Sequence, residues 1–423
     1  MVNYKCLRLL ATTPILQSLA FALHTPFTST RREVLLQVPS AAAAFTMSAT
    51  SPPSSSTTTK PKNIQWGIIG LGDVCQVKSG PPFWKCEGSD LVAVMRRTPG
   101  KAAEFASKVP GGNCVGYDDI NTFLAHSGLD AVYVSTRPGT HLEICQKVAE
   151  SGLACYVEKP VGRCAAETEE ITNIFSKAGL PLYTAYISRA YDRTQMTKKM
   201  LKEGTIGDRI HKVTYKLVGN GGARDMDGDL PWRLDPSQSG GGLIMDVGCH
   251  VLDRIDYLVG PFMDVKGSAL RKNLNKTDVH VENYVRIEAK LGDGKKVGLP
   301  FKTDGALVEC EWDFSGTSPD EVDELIFEGS KGRIKMAGMS FTAPLEVYDL
   351  DGVLVEQHTF NQPQHTGQQL IQAVNDDMRG IDQKDYISFG ENAVRTSRVL
   401  DSALSPFYGG RSVGFWERNM KLA

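Results

Sequence analysis

Ile64-Gln65-Trp66-Gly67-Ile68-Ile69-Gly70-Leu71-Gly72-Asp73-Val74-Cys75 decides the fold class of this chain. A short apolar run closed by glycines is the pattern of a strand buried on both faces of a parallel sheet. In the turn that follows, Gly70 permits the tight bend and Gly72 lets backbone amides approach a pyrophosphate at a helix start. Asp73 and Val74 complete that loop as candidate cofactor contacts. Cys75 stands where such loops carry a third glycine or alanine, and a small thiol still fits close helix-strand packing. Taken alone, the two glycines describe a plain turn equally well.

Context downstream decides between the two. Ser89 to Met95 reads as the next strand, Lys101 to Lys108 as a helix, and Asp130 to Ser135 as another buried strand. This β-α-β alternation predicts a Rossmann domain over residues 63–186. At the end of the second strand, where an acidic residue would take the ribose 2'-hydroxyl of NAD, stand Arg96 and Arg97. Guanidinium groups match a 2'-phosphate in charge and geometry, so the expected cofactor is NADP, with NAD as the alternative. Two solvated surface arginines are the competing explanation.

Ala154-Cys155-Tyr156-Val157-Glu158-Lys159-Pro160 is a further strand that ends in a charged pair. Open α/β sheets place their ligands at such strand ends. Later, Gly240-Gly241-Gly242 opens a helical run in which Asp246, His250 and Asp253 share one face at i, i+4 and i+7. That face admits three readings: a polar helix surface, a metal site short of ligands, or an acid/base pair in which Asp246 orients His250 and favours its cation.

Together, residues 66–74, Ser135-Thr136-Arg137-Pro138-Gly139-Thr140-His141, Val157 to Pro160, Pro231-Trp232-Arg233 and Gly240 to Asp253 make the chain resemble the Gfo/Idh/MocA family. That family includes glucose-fructose oxidoreductase, inositol dehydrogenase and dihydrodiol dehydrogenase. The resemblance covers nearly everything after residue 62. It implies an α/β fold in which an N-terminal Rossmann domain precedes a C-terminal α+β domain, residues 187–423, with a large, mostly antiparallel, open-faced sheet. Strand-like stretches at 209–218, 281–291, 296–302, 306–314, 324–327 and 345–348 agree with it independently, as do helical patterns at 368–379 and 391–404. An open sheet face of that kind implies a homodimer or homotetramer.

By the same resemblance Lys159 is the catalytic lysine, with Glu158 beside it on the cofactor side, and Asp246 and His250 hold the substrate and move its proton. His250, with an ordinary pKa of about 6.5, is the expected proton donor, and Lys159, at about 10.4, a fixed positive charge unless burial lowers it. Thr136, Pro138 and His141 match the loop under the nicotinamide, although a helix-cap role explains His141 equally well. Arg137 departs from the small residue or proline expected there and narrows the pocket. Tyr186 and Arg189 match positions near the substrate, where packing and surface pairing are equally good explanations, and Trp232 and Arg233 lie on a loop reaching toward the site.

The composition sets outer limits. With 423 residues, 41% hydrophobic, 23% charged and a net charge of -2, the chain is long enough for two domains and carries no general attraction for nucleic acid. No uncharged apolar stretch of membrane-spanning length follows residue 60. The nine cysteines show no C-x-x-C pair and no metal-finger spacing, so free thiols and no bound metal are expected.

Residues 1–62 differ from the rest. Up to Gly72 there is one acidic residue, Glu33, against six basic ones, in a stretch crowded with Ser, Thr, Ala and Pro. An apolar run from Leu9 to Leu23, then Arg31-Arg32 followed by Val34-Leu35-Leu36 and Ala41 to Ala44, resembles a bipartite plastid-targeting presequence. A disordered extension and a cytoplasmic or other exported location are the alternatives. The expected function is an NADP-dependent oxidoreductase acting on the CH-OH group of a sugar, polyol or related small hydroxyl or carbonyl compound. Two other activities fit the same motifs: a glycosidase that cycles a tightly held NAD, and a non-catalytic dinucleotide-binding protein.

Overall fold

The computed structural model describes residues 61–219, 231–272 and 280–416, so the expected presequence up to residue 60 lies outside the described residues. Six parallel strands come first: β1 Ile64–Ile69, β2 Ser89–Met95, β3 Val115–Tyr117, β4 Ala131–Val134, β5 Ala154–Val157 and β6 Leu182–Thr184. Their spatial order, β3-β2-β1-β4-β5-β6, reverses direction between β1 and β4. Crevices at such a reversal are where open α/β sheets bind ligands.

Among the described residues, six helices of ten or more residues accompany the sheets: α1 His141–Glu150, α2 Ala165–Ala178, α3 Asp192–Glu203, α4 Leu243–Val259, α5 Gln368–Met378 and α6 Gly390–Tyr408. The Rossmann sheet is covered partly by its own crossovers and partly by α5, which returns from the end of the chain. The Trp66 indole of β1 donates to Asn375 Oδ1 on α5 at 2.8 Å, and the Tyr183 hydroxyl of β6 donates to Asp377 at 2.6 Å. Between them Phe83 stacks on Tyr133 at 4.9 Å between centroids, and Tyr133 packs on Tyr156 at 5.3 Å. A large aromatic core therefore pins the strand ends that carry the site.

The second sheet has eight strands: β7 Ile210–Val218, β8 Phe262–Leu270, β9 Tyr284–Leu291, β10 Leu307–Asp313, β11 Val322–Gly329, β12 Arg333–Met336, β13 Leu345–Tyr348 and β14 Leu354–His358. The order is β14-β13-β12-β11-β7-β10-β9-β8, antiparallel except where β7 meets β10. Alternation sorts its faces: Val285, Ile287, Ala289 and Leu291 are buried, whereas Arg286, Glu288 and Lys290 are exposed. Helix α4 and helix α6 cover the buried face. The other carries cross-strand pairs such as Lys212–Glu309 at 2.8 Å and Lys335–Glu324 at 2.5 Å.

One expected strand is absent. Residues 296–302 read as a strand, but Gly294–Val297 forms a short 3-10 helix, capped by the Asp293 carboxylate on the Lys295 amide, with Gly298 left-handed at φ +81°. Pro300 then removes a ladder donor, and only Lys302 bridges, to Arg209. Strand β8 escaped the sequence because its alternation is broken at Asp264, whose φ is +49° and where pairing with β9 shifts register. Eight described cysteines are free thiols, most of them buried. No described helix is long and apolar enough to cross a membrane.

Candidate active site

The turn after β1 is built as its glycines require. Gly70 has φ +100°, and a Cβ there would meet the Ser135 carbonyl oxygen at 2.6 Å. A Cβ at Gly72 would meet nothing within 4 Å, so this edge of the loop faces open space that a phosphate can occupy. Leu71 is buried, while Gly72, Asp73 and Val74 are exposed. Cys75 is wholly buried, and burial pushes its thiol up to about 12, so it packs as a small apolar group. Cys75–Ser79 is wound as a π-helical turn, closed by the Gly80 amide donating to the Cys75 carbonyl at 2.8 Å. The missing third glycine is thus accompanied by a widened helix start.

Of the two arginines after β2, half-buried Arg96 donates from Nη1 to the Leu71 carbonyl at 2.7 Å and ties down the loop. Arg97 is exposed and makes no hydrogen bond or ion pair among the described residues. An open-faced glycine turn beside an unpartnered guanidinium fits a dinucleotide. Gly72, Asp73 and Val74 would line its pyrophosphate, and Arg97 its adenosine end.

Beyond β4, the Thr140 hydroxyl donates to Thr136 Oγ1 at 2.9 Å, and Pro138 is buried. His141 is not a cofactor contact. It is fully buried, its Nδ1 lies 3.0 Å from the Val161 carbonyl and its Nε2 3.2 Å from that of Thr136, and burial lowers its pKa. The ring is a strut between two loops that border the cofactor space. Gly139 supplies a second close approach, since a Cβ there would meet the Ser237 carbonyl at 2.7 Å.

At the end of β5 the two charged residues part company. Glu158 turns back toward the sheet, accepting from the Tyr133 hydroxyl at 2.5 Å and from the Lys159 amide at 3.2 Å. Burial raises its pKa. Lys159, joined to Pro160 by a cis peptide bond, sends Nζ across to α4. There it lies 2.5 Å from Asp246 Oδ1 and 3.0 Å from the Asp246 carbonyl.

Asp246 sits in the first turn of α4, whose start is fixed by Glu282: its Oε1 accepts from the Gly242 amide at 2.7 Å. The second oxygen of Asp246 accepts from Arg233 Nε at 2.7 Å. Arg233 in turn lies 4.4 Å over the Trp232 ring, with Arg137 5.9 Å from the same ring. Burial alone would raise the carboxyl, but Lys159 and Arg233 hold it well below the ordinary range. For Lys159 burial pulls downward and Asp246 outweighs it, leaving the ammonium above its ordinary value.

The expected Asp246–His250 pair is therefore corrected: the carboxylate is shared between Lys159 and Arg233. Burial first, and then the Lys159 charge, press His250 well below its ordinary pKa. It is a neutral imidazole, and its buried Nδ1 has no partner among the described residues. The buried Tyr186 ring stands edge-on to it at 6.3 Å. Arg189, expected near substrate, is instead spent in the core. Its Nε and Nη2 bind Asp253 Oδ2 and Oδ1 at 2.7 and 2.6 Å, and it is 3% exposed.

A second network went unseen in the sequence. Arg163 donates to the Ser237 carbonyl at 2.8 Å and pairs with Glu167 at 2.5 Å. Arg411 donates to Gly240 at 2.6 Å, to Asp401 at 2.7 Å and also to the Arg163 carbonyl. It ties the Lys159 loop to the start of α4. Nothing local in Gly409-Gly410-Arg411 signals that role. A cavity of about 510 Å³ near Tyr191, Phe341 and His365 has none of Lys159, Asp246 or His250 in its lining. Charge and hydrogen bonding, not cavity size, mark the site.

Residues 64–186 match the family described as oxidoreductase, NAD-binding Rossmann fold, and residues 194–335 match its GFO/IDH/MocA C-terminal domain. The chain belongs to the Gfo/Idh/MocA oxidoreductase family. It is an NAD(P)-dependent oxidoreductase acting on CH-OH groups, as are relatives such as a D-xylose 1-dehydrogenase and a levoglucosan dehydrogenase. An oxidoreductase from Formosa agariphila is 28% identical over 311 residues, 73% of this chain and 89% of that one. The levoglucosan dehydrogenase of Pseudarthrobacter phenanthrenivorans is 28% identical over 211 residues, 48% of this chain and 53% of that one. Among solved structures, the aldose-aldose oxidoreductase of Caulobacter crescentus has a TM-score of 0.67 at 21% identity, covering 83% of this chain and 99% of that one. A levoglucosan dehydrogenase with NADH and levoglucosan has a TM-score of 0.65 at 19% identity, covering 82% and 98%. These two likenesses establish the shared fold.

Proposed function

We propose that this Gfo/Idh/MocA protein is an NADP-preferring dehydrogenase or reductase of a sugar or polyol, with Lys159, Asp246 and His250 as its catalytic group. The observation that carries the reading is the Lys159–Asp246 contact at the end of β5, on the strand-end side that also holds the phosphate loop. A bound nicotinamide supplies or accepts the hydride. The chain's own residues handle the proton on the adjoining oxygen.

Lys159, kept as an ammonium by Asp246, polarises a substrate carbonyl and donates a proton to the oxygen as it becomes an alkoxide. The transfer is downhill although the lysine pKa is raised, because an alkoxide approaches the basicity of hydroxide, whose conjugate acid has a pKa of about 15.7. In the oxidising direction the same path runs in reverse and the hydroxyl proton passes to Lys159 as its neutral amine, with neutral His250 beside the site as a hydrogen-bonding group. Against the expectation from sequence, the proton donor in the reducing direction is then Lys159 rather than His250. Trp232 and Arg233 supply the wall on the α4 side.

Arg96 and Arg97, in place of an acidic residue, support NADP over NAD. Fluorescence titration of the full chain with NADPH and NADH tests this, and equal or tighter NADH binding overturns it. A screen of sugars, inositols and small ketones with both cofactors tests the substrate class. The open face of the second sheet supports assembly as a homodimer or homotetramer, to be measured by light scattering. The basic, acid-poor residues 1–62 support plastid targeting, and a fluorescent fusion of that segment remaining in the cytoplasm would contradict it.

A further inference from the structure

Two guanidinium groups face one indole at the edge of the site. Arg233 lies 4.4 Å and Arg137 5.9 Å from the Trp232 ring. They come from segments far apart in sequence, and the arrangement is fixed by packing. The backbone of Gly139, two residues after Arg137, is pressed against Ser237 so closely that a Cβ would approach its carbonyl to 2.7 Å. Asp235 caps the short helix Pro236–Ser239 that follows Arg233, accepting from the Ser237 amide at 2.9 Å.

Among the described residues, cations outnumber carboxylates in this corner. Lys159 and Arg233 share one carboxylate, Asp246. The exposed Arg137 side chain makes no hydrogen bond or ion pair among the described residues; its guanidinium faces only the Trp232 ring. Among the described residues three cations stand against two carboxylates, Asp246 and Glu158, so the field here favours a further anion. The planar fork of arginine is suited to a carboxylate, and it gains most where an aromatic wall keeps water from one side.

We propose that Arg137, with Trp232 and Arg233, forms a carboxylate subsite, and that the substrate is an acidic sugar whose carboxylate sits there while its reacting carbon faces Lys159. This rests on the oxidoreductase reading above and narrows its substrate class. Arg137 then acts as a specificity residue. It stabilises the acid relative to its neutral isostere and leaves the reacting oxygen to Lys159.

The test compares matched pairs, D-glucuronate with D-glucuronamide and D-galacturonate with D-galacturonamide, on the full chain saturated with NADPH. Binding by calorimetry reads the subsite without requiring turnover. At least one acid is expected to bind about tenfold more tightly than its amide, the scale of one charge-assisted hydrogen bond. Arg137→Ala should abolish that preference and Arg137→Glu reverse it, both leaving NADPH affinity unchanged. Equal affinities within each pair, or no binding of either acid at millimolar concentration, overturns the proposal. A loss of NADPH affinity in Arg137→Ala also overturns it, by assigning the arginine to a cofactor phosphate. Preferential acid binding without any turnover would leave the subsite standing and count against the oxidoreductase reading instead.

Discussion

Lys159 Nζ and Asp246 Oδ1 are 2.5 Å apart, bringing the end of a Rossmann strand into direct contact with the first turn of a helix in the other half of the molecule. The contact is only partly screened, since the two side chains are 13% and 30% exposed. Lys159→Ala should therefore cut kcat by about 10²–10⁴-fold, the usual scale for a lost general acid. NADPH affinity should change little, and normal turnover in steady-state assays would remove the lysine from the chemistry.

The neutral state of His250 gives a pH dependence of defined sign. Its folded pKa lies below the ordinary 6.5, so the unfolded chain takes up a proton first as pH falls. The stability this group contributes is present above pH 6.5 and is lost as pH drops through its folded value. His250→Gln should flatten part of the fall in melting temperature between neutral and mildly acidic pH. An unchanged slope would mean that the imidazole already carries a charge in the native state.

The lysine and the aspartate behave oppositely. Asp246 titrates below its ordinary value and Lys159 above, so their pairing contributes between the two and is lost only toward strong acid or strong base. Between about pH 6 and pH 9, kcat for carbonyl reduction should show no limb from either group. A clear ionisation in that window that disappears in Asp246→Asn would contradict the arrangement.

Arg189 and Asp253 lie in the core at 3% and 0% exposure. Removing one member strands the other, at a cost of about 3–5 kcal/mol. Arg189→Met should lower unfolding free energy by that amount in urea titrations, yet leave the KM of the folded enzyme nearly unchanged at low temperature. A selective rise in KM without destabilisation would return Arg189 to the substrate.

The two arginines after β2 should separate by cofactor. Arg97→Ala is expected to weaken NADPH about tenfold and leave NADH alone, as for one lost charge-assisted contact. Arg96→Ala releases the Leu71 carbonyl and should weaken both. Identical responses of the two variants, measured by fluorescence titration, would count against the assignment of Arg97 to the 2'-phosphate.

Those features that depend on local chemistry were legible in the sequence. The phosphate turn, the strand ending at Lys159 and the glycine run ahead of Asp246 each follow from residue type and spacing, and alternation along β9 and β10 announces a half-exposed sheet. Partnership was not legible. Asp246 and His250 are one helical turn apart, which suggested a pair, but the carboxylate is claimed by Lys159 and Arg233 from other segments. The charge states of Lys159 and His250 follow from that competition and from burial, and neither is written in spacing. His141 and Arg189 misled for the same reason: a polar side chain at a family site position looks the same in sequence whether it meets substrate or closes a buried contact.

Arg411 joins Gly240 from 171 positions downstream, and the same guanidinium reaches the loop that follows Lys159. During synthesis, both members of the charged pair emerge from the ribosome long before the residue that aligns them. The dinucleotide sheet is itself finished late, since Trp66 and Tyr183 find their partners on α5. Cofactor sheet and charged pair are therefore both expected to be completed by the last part of the chain to be made.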